Sequence, residues 1–336
     1  MKHLLTLIFW LLLAVNLFGQ ADKVAELVRR GVELNDQGNY DEAIAKFKEA
    51  LSIDKNSTAA NYELSYTCMT SGKYEDAIKY SKKVIKINVD NQHQAYIVLG
   101  SSLDLIGKPK KAIKTYLEGL EKYPNSNLLN YNLAYTYFQQ QEYNKAEAAA
   151  ISAINAKPSH PSSHLILSAT MMAKGERLKA VLPLYYFLML EPNSQRSKPN
   201  YISLRKMLVQ GIEQKDENNI SVNVSVKGAD DEFSGAEMMV SLLAASRYSK
   251  ENRDKSDMEL FVESTRSAFS ILSELKKDKR GFWWDLYVTK FNDLVETKNY
   301  EAFCYYISKS LNADDVKKWI ADNPTKMDDL KAWMKK

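Results

Sequence analysis

The sequence is short of the residues from which most metal and catalytic sites are built. Only 2 of its 336 residues are cysteine and 4 are histidine. Cys68 and Cys304 stand far apart, so no paired-cysteine metal motif exists, and although an exported compartment permits a disulfide, two distant cysteines on separate helices read as small buried side chains. Each lies among apolar and aromatic neighbours on an expected helix, where a lone cysteine acts as a small buried side chain. The 12 glycines form no phosphate-cradling loop, and neither a nucleophile elbow nor a zinc-protease helix is present. Charge of one sign is also lacking. With 46 basic and 42 acidic residues the formal net charge is +4, and the two signs alternate along the helical stretches. A nucleic-acid footprint needs Lys and Arg clustered on one face, so that partner class is excluded. The densest basic run, residues 276–280, is interrupted by Asp278 and suits the negative end of a helix.

Long hydrophobic runs are absent except at the start. Lys2 precedes an almost unbroken apolar stretch from Leu4 to Phe18, and small residues follow at Gly19 and Ala21. This is the anatomy of a signal peptide over residues 1–20, cleaved after Gly19 or Ala21, and the run is short for a membrane span of about 20 residues. No cysteine follows it to carry a lipid anchor. The expected location is outside the cytoplasm, periplasmic or secreted, with no stable membrane insertion after cleavage.

What the chain has in quantity is repetition. "GNYDEAIAKFKEALSIDKNS" at Gly38 returns in altered form at Gly72, Gly107, Gln141 and Gly175, at spacings of 34, 35, 34 and 34 residues. A fixed period of this size marks stacked units that bury their apolar faces on one another. Within the first unit Leu27, Gly31 and Leu34 share one helix face. Ala43, Ile44, Phe47, Ala50 and Leu51 form the apolar stripe of a second helix.

These residues resemble the tetratricopeptide-repeat family. That family has a small residue at the eighth position of each unit, here Gly31, Ser65, Gly100, Ala134 and Ser168. It has alanine at the twentieth, here Ala43, Ala77, Ala112, Ala146 and Ala180, and often a closing proline, here Pro124, Pro158 and Pro192. The resemblance implies an all-α, right-handed superhelical solenoid over residues 22–194. Its five helix-turn-helix repeats fall near 24–57, 58–92, 93–126, 127–160 and 161–194. It also implies a concave groove lined by the first helix of each unit at positions two, five, nine and twelve. Val28, Val32, Tyr62, Tyr66, Ile97, Ser101, Tyr131, Tyr135, Phe138 and Met172 fall at such positions, of which Tyr62, Tyr66, Ile97, Ser101, Tyr131, Tyr135 and Phe138 form the expected partner-binding face. The Lys, Arg and Asn with which some members grip a peptide carboxylate are replaced at most of these places by Tyr or aliphatic residues. Tyr and Phe in a rigid concavity suit a peptide or an amphipathic helix; the other possibility is that the chain's own C-terminal segments fill the groove.

The fifth unit breaks the pattern. "AVLPLYYFLML" is apolar nearly all round, with Pro183 inside it, so a downstream segment must cover Leu182, Tyr185, Tyr186 and Met189. Residues 195–336 are expected to form a mainly helical domain. Helices fall over about 200–214, 231–250, 256–278, 282–297, 300–311, 313–322 and 325–335. "ISVNVSV" gives at most one short strand, packed on helices for want of a partner. Trp283, Tyr287 and Phe291 lie near one helical stripe and belong in a core. His160 and His164 are four apart, but Pro161 makes His160 a turn residue. The acids of 229–237 suit a helix N-terminus better than a cation. No cofactor and no metal is expected. The functional expectation is a non-enzymatic scaffold that holds a protein partner. The alternative is an enzyme or small-ligand receptor with its site in the C-terminal half.

Overall fold

The computed structural model describes residues 2–87, 92–215, 219–223 and 232–335, with side chains from Gly19 onward. Its contacts gather into two compact units, residues 1–141 and 142–336; the repeat boundary expected at residue 194 lies inside the second. The fold is all-α apart from one small hairpin, a tetratricopeptide-type superhelix followed by further helices.

In the first unit α1 (Lys2–Asp36) pairs with α2 (Tyr40–Ile53), α3 (Thr58–Thr70) with α4 (Tyr74–Ile87), and α5 (His93–Leu105) with α6 (Pro109–Lys122); α7 (Asn127–Gln139) packs on α6. The small residues decide how closely the helices approach. A Cβ added to Gly31 would stand 2.4 Å from Phe47 Cε1, and one added to Gly100 would stand 2.3 Å from Tyr116 Cε1. The ring of the second helix thus occupies the space that a side chain on the first would need. The five alanines at the twentieth positions are all fully buried. Each first helix ends at a left-handed residue that satisfies its last carbonyls: Gly38, Gly72, Gly107 and Gly175, with Gln141 at φ 59° in the corresponding place of the fourth repeat. Ser57 and Ser126 accept backbone N–H bonds from Ala60 and Leu129, which caps α3 and α7.

The N-terminal stretch expected to be a signal peptide is continuous with the first repeat helix in α1. Among the described residues no helix is long and apolar enough to cross a membrane.

The second unit contains α8 (Tyr143–Ala156), α9 (Pro161–Ala173), α10 (Arg177–Leu190), α11 (Ser197–Leu208), α12 (Ser234–Ala245), α13 (Asp257–Lys276), α14 (Thr289–Glu296), α15 (Tyr300–Ile307), α16 (Asp314–Asp322) and α17 (Pro324–Met334). Its core forms around the unusual face of α10. Tyr185 is completely buried, its ring centroid 4.9 Å from Phe269, 5.9 Å from Phe291, 6.0 Å from Phe303 and 6.4 Å from Phe261. Its hydroxyl meets Thr265 Oγ1 at 2.7 Å, so the one polar atom of the ring keeps a partner. Residues of α13, α14 and α15 therefore supply the cover that the sequence demanded.

Two expectations for this half need correction. The strand is not alone: Ile220–Val222 (β2) pairs antiparallel with Ile212–Gln214 (β1), in the register Ile212 to Val222 and Gln214 to Ile220. The partner strand had been read as the end of a helix reaching residue 214, but α11 stops at Leu208. Gly211, at φ 82°, then turns the chain where a Cβ would meet Asn223 O. The hairpin lays Ile212 and Val222 against Ala244, Ala245 and Tyr248. Val224 and Val226 lie outside the described residues. The aromatic stripe is also shifted by one residue, and residues 283–288 form a π-helical turn. Trp284, Tyr287, Phe291 and Leu294 are buried, whereas Trp283 is only half-buried.

Candidate partner-binding face

Contacts between successive first helices run from α1 to α3, α3 to α5 and α5 to α7, while those between successive second helices are sparse. The side on which neighbours approach more closely is the inner side of a curved stack, so the first helices line it. Two side-chain bonds fix their spacing. Thr67 donates to Asn35 Oδ1 and Thr136 to Asp104 Oδ2, both at 2.9 Å and both across 32 residues.

On these first helices Tyr66 of α3 is 37% exposed and Tyr135 of α7 is 43% exposed. Tyr62 stacks on Tyr66 with ring centroids 6.4 Å apart, and burial together with the neighbouring Glu63 and Tyr66 pushes its phenol up to about 12. Tyr62 therefore stays a neutral hydrogen-bonding group at any physiological pH. Tyr135 accepts a hydrogen bond from Gln139 Nε2 at 2.9 Å. Tyr131, Phe138 and Ile97 are half-buried. Ser101 is less available, because its hydroxyl shares a 3.1 Å hydrogen bond with Tyr116 of α6 and so serves the inside of its own repeat. Val28 and Val32 pack, half-buried, on the core beneath α1. Leu105 and Leu128 are exposed on the same helices. Leu128 is at a second position, where the family rule could have found it; Leu105 is at a thirteenth position, which that rule does not cover.

The second unit holds the other sequence candidates. Met172 is 50% exposed on α9. His164 is buried, with Nε2 2.8 Å from Pro158 O and Nδ1 2.7 Å from Tyr287 Oη. A carbonyl only accepts, so Nε2 carries the proton and Nδ1 accepts from the tyrosine. Burial is the main cause that pulls this imidazole down to about 4. Both nitrogens are committed to the fold, and His160 turns aside to Ser163 Oγ at 2.8 Å. Among the described residues no group of His, Cys, Asp and Glu has the arrangement of a metal site. Asp230 and Asp231 of the acidic stretch lie outside the described residues. Its other acids have internal partners, since Trp284 Nε1 donates to Glu232 and Arg177 Nε to Glu237. Cys68 and Cys304 are both unpaired and buried, and burial raises their thiols to about 11 and about 12, so neither is a reactive thiolate.

A cleft of about 550 Å³ opens between α12 and α13, with Met239, Leu243 and Leu260 on its apolar wall. Three of its charged groups have internal roles: Arg247 reaches Asp257 at 3.6 Å, Glu263 pairs with Lys255 at 2.5 Å, and Arg266 lies over the ring of Tyr300; Glu274 is exposed. A smaller cleft beside Arg177 is similarly engaged, because that guanidinium bonds Glu237, Ser241 and the carbonyls of Met207 and Gln210.

Two sequence models of the tetratricopeptide repeat match the chain, over residues 34–98 and 97–162. Among curated proteins, the Hsp70-Hsp90 organising protein of Plasmodium falciparum is 30% identical over 110 residues, 33% of this chain and 42% of that protein. The chain thus spans less than half the length of that relative. Among solved structures, the MamA protein is 25% identical, with 54% of this chain and 96% of that one covered at a TM-score of 0.44. A thermophilic TPR protein of Thermus thermophilus is 21% identical, with 54% and 98% covered at a TM-score of 0.47.

Proposed function

We propose, from the premise that this chain belongs to the tetratricopeptide-repeat family, that it is a non-enzymatic adaptor whose inner repeat face grips a peptide or helix of a protein partner. A protein-interaction role of the scaffold type follows from the repeats themselves. The groove is our addition. The observation that carries it is the exposure of Tyr66 and Tyr135 on first helices whose remaining aromatic residues are held in place by packing. Such side chains bury a large area on contact, lose little conformational freedom and keep a hydroxyl for a polar bond. We further propose that the protein acts outside the cytoplasm, on the strength of Lys2, the apolar run to Phe18 and the small residues after it.

The test is capture of partners from the native cell envelope by the wild-type chain and by a Tyr66→Ala, Tyr135→Ala variant, with melting temperatures measured in parallel. Truncating a hot-spot aromatic costs about 2 kcal/mol or more, roughly a thirtyfold loss of affinity. The variant is expected to melt normally and to lose its partner. Undiminished capture by a folded variant would refute the groove. The first residue of the recovered native protein, Gln20 or Asp22 if the leader is removed, tests export in the same preparation.

A further inference from the structure

Charge is scarce on three of the four inner helices of the first unit and frequent, in both signs, on α1 and on the outer helices. The inner helices α3, α5 and α7 contain no lysine and no arginine; their only ionisable acids are Glu63 and Asp104. The outer helices carry the cations, Lys79, Lys82, Lys83 and Lys86 on α4 and Lys110, Lys111, Lys114 and Lys122 on α6, nearly all exposed. On α1, Arg29 is neutralised by Glu33 of the same helix, and Arg30 acts on Glu49 of the outer helix α2. Glu63 follows Tyr62 in the chain, is half-buried, and lies within electrostatic reach of Tyr62 and of Asp36 at the end of α1. No ion pair of Glu63 or Asp36 occurs among the described residues, and burial, then the charge of Asp36, raises the Glu63 carboxyl above its ordinary value. A carboxylate left in this state gains from a cation brought to it.

We infer that the segment held by the inner face is a cationic amphipathic one, with large apolar side chains against Tyr62, Tyr66, Tyr131 and Tyr135 and a Lys or Arg against Glu63. The inference rests on the groove reading. An acidic ligand would find no cation on α3, α5 or α7, and would leave Glu63 facing a like charge. A cationic ligand removes both difficulties, and Tyr faces add attraction for its charge.

Two fluorescent helical peptides of about five turns, with identical Leu and Phe positions and either Lys or Glu at every polar position, are titrated against the full chain by anisotropy. The Lys peptide is expected to bind at least about tenfold tighter, the scale of one charge-assisted contact, and to weaken as salt rises. Glu63→Gln should shrink that preference without lowering the melting temperature, since it removes an unpaired half-buried charge. Glu63→Lys should shift the preference toward the Glu peptide. Equal binding of the two peptides, binding of neither, or a preference untouched by both Glu63 variants overturns the cationic inference. If Tyr66→Ala, Tyr135→Ala still weakens both peptides, the groove survives that result. If this variant changes neither, the groove reading itself fails.

Discussion

His164 shows how far a residue's role can lie from its appearance in the sequence. Spacing along the chain sets it beside His160 as a possible ligand pair; the fold sets it beside Tyr287, 123 residues away. Periodicity reports only the face of a helix, so a partner that distant leaves no trace in it. Small-residue positions behave in the opposite way. Gly31 and Gly100 were legible because a single requirement, room for a facing ring, recurs with the repeat. The histidine makes stability depend on acidity. Unfolded, its imidazole titrates near 6.5; folded, it is held down to about 4. Between these values the unfolded chain binds the extra proton, so stability is complete above pH 6.5 and declines as pH falls toward 4. The full loss is about 3 kcal/mol. A His164→Gln chain should melt lower at neutral pH yet show a flatter decline from pH 6.5 to 4.5, the comparison removing the contribution of carboxylates. Parallel declines in the two proteins would show that this imidazole is not the group responsible.

Elements were easiest to read where one pattern governs them. The helices of residues 24–194 and α13, with its Ser256 and Glu259 capping box, fall where apolar spacing and end signals place them. The hairpin was missed because three-residue strands carry too few alternations to outweigh a neighbouring helical pattern, and the entry to β1 is set by Gly211 meeting the Asn223 backbone. The π-helical turn was missed for a related reason: a reading at 3.6 residues per turn assumes the regularity that this turn breaks. Long-range polar ties between elements are equally silent in the sequence. Arg177, at the start of α10, bonds the end of α11 through two carbonyls and α12 through Glu237 and Ser241, with only 10% of its side chain exposed. Glu237 also accepts the Leu178 backbone N–H. Arg177→Met leaves Glu237 desolvated and without its cation, at a cost of about 3–5 kcal/mol. A corresponding fall in the urea midpoint is expected. Adding Glu237→Gln should recover part of it, and equal midpoints for wild type and Arg177→Met would remove this ion pair from the account.

At the scale of the whole chain, the repeat period disclosed the solenoid, and the apolar circumference of α10 disclosed that something must cover it. It could not disclose what. The cover consists of aromatic residues from three helices, Phe261 and Phe269 of α13, Phe291 of α14 and Phe303 of α15, of which only Phe291 belongs to the stripe that the sequence marks as core. The inner face was legible only as positions within a repeat; that Ser101 is turned to its own helix pair and Leu105 outward depends on packing. A chain ending at Ser194 therefore leaves Tyr185 without the rings that surround it. It should self-associate and bind a hydrophobic dye, while the full chain does neither. A monomeric, dye-silent fragment would mean that α10 hides its aromatic face by another route.

The position of that cover along the chain also sets an order in time. Each early repeat needs only its immediate neighbour, so it can fold as soon as the next unit has been made. Tyr185 waits for Thr265, 80 residues later, and His164 for Tyr287. At ordinary rates of synthesis these delays are about 4 to 25 seconds. During that interval the face of α10 that carries Tyr185 has no cover, and the growing chain presents to the cell the surface on which chaperones act.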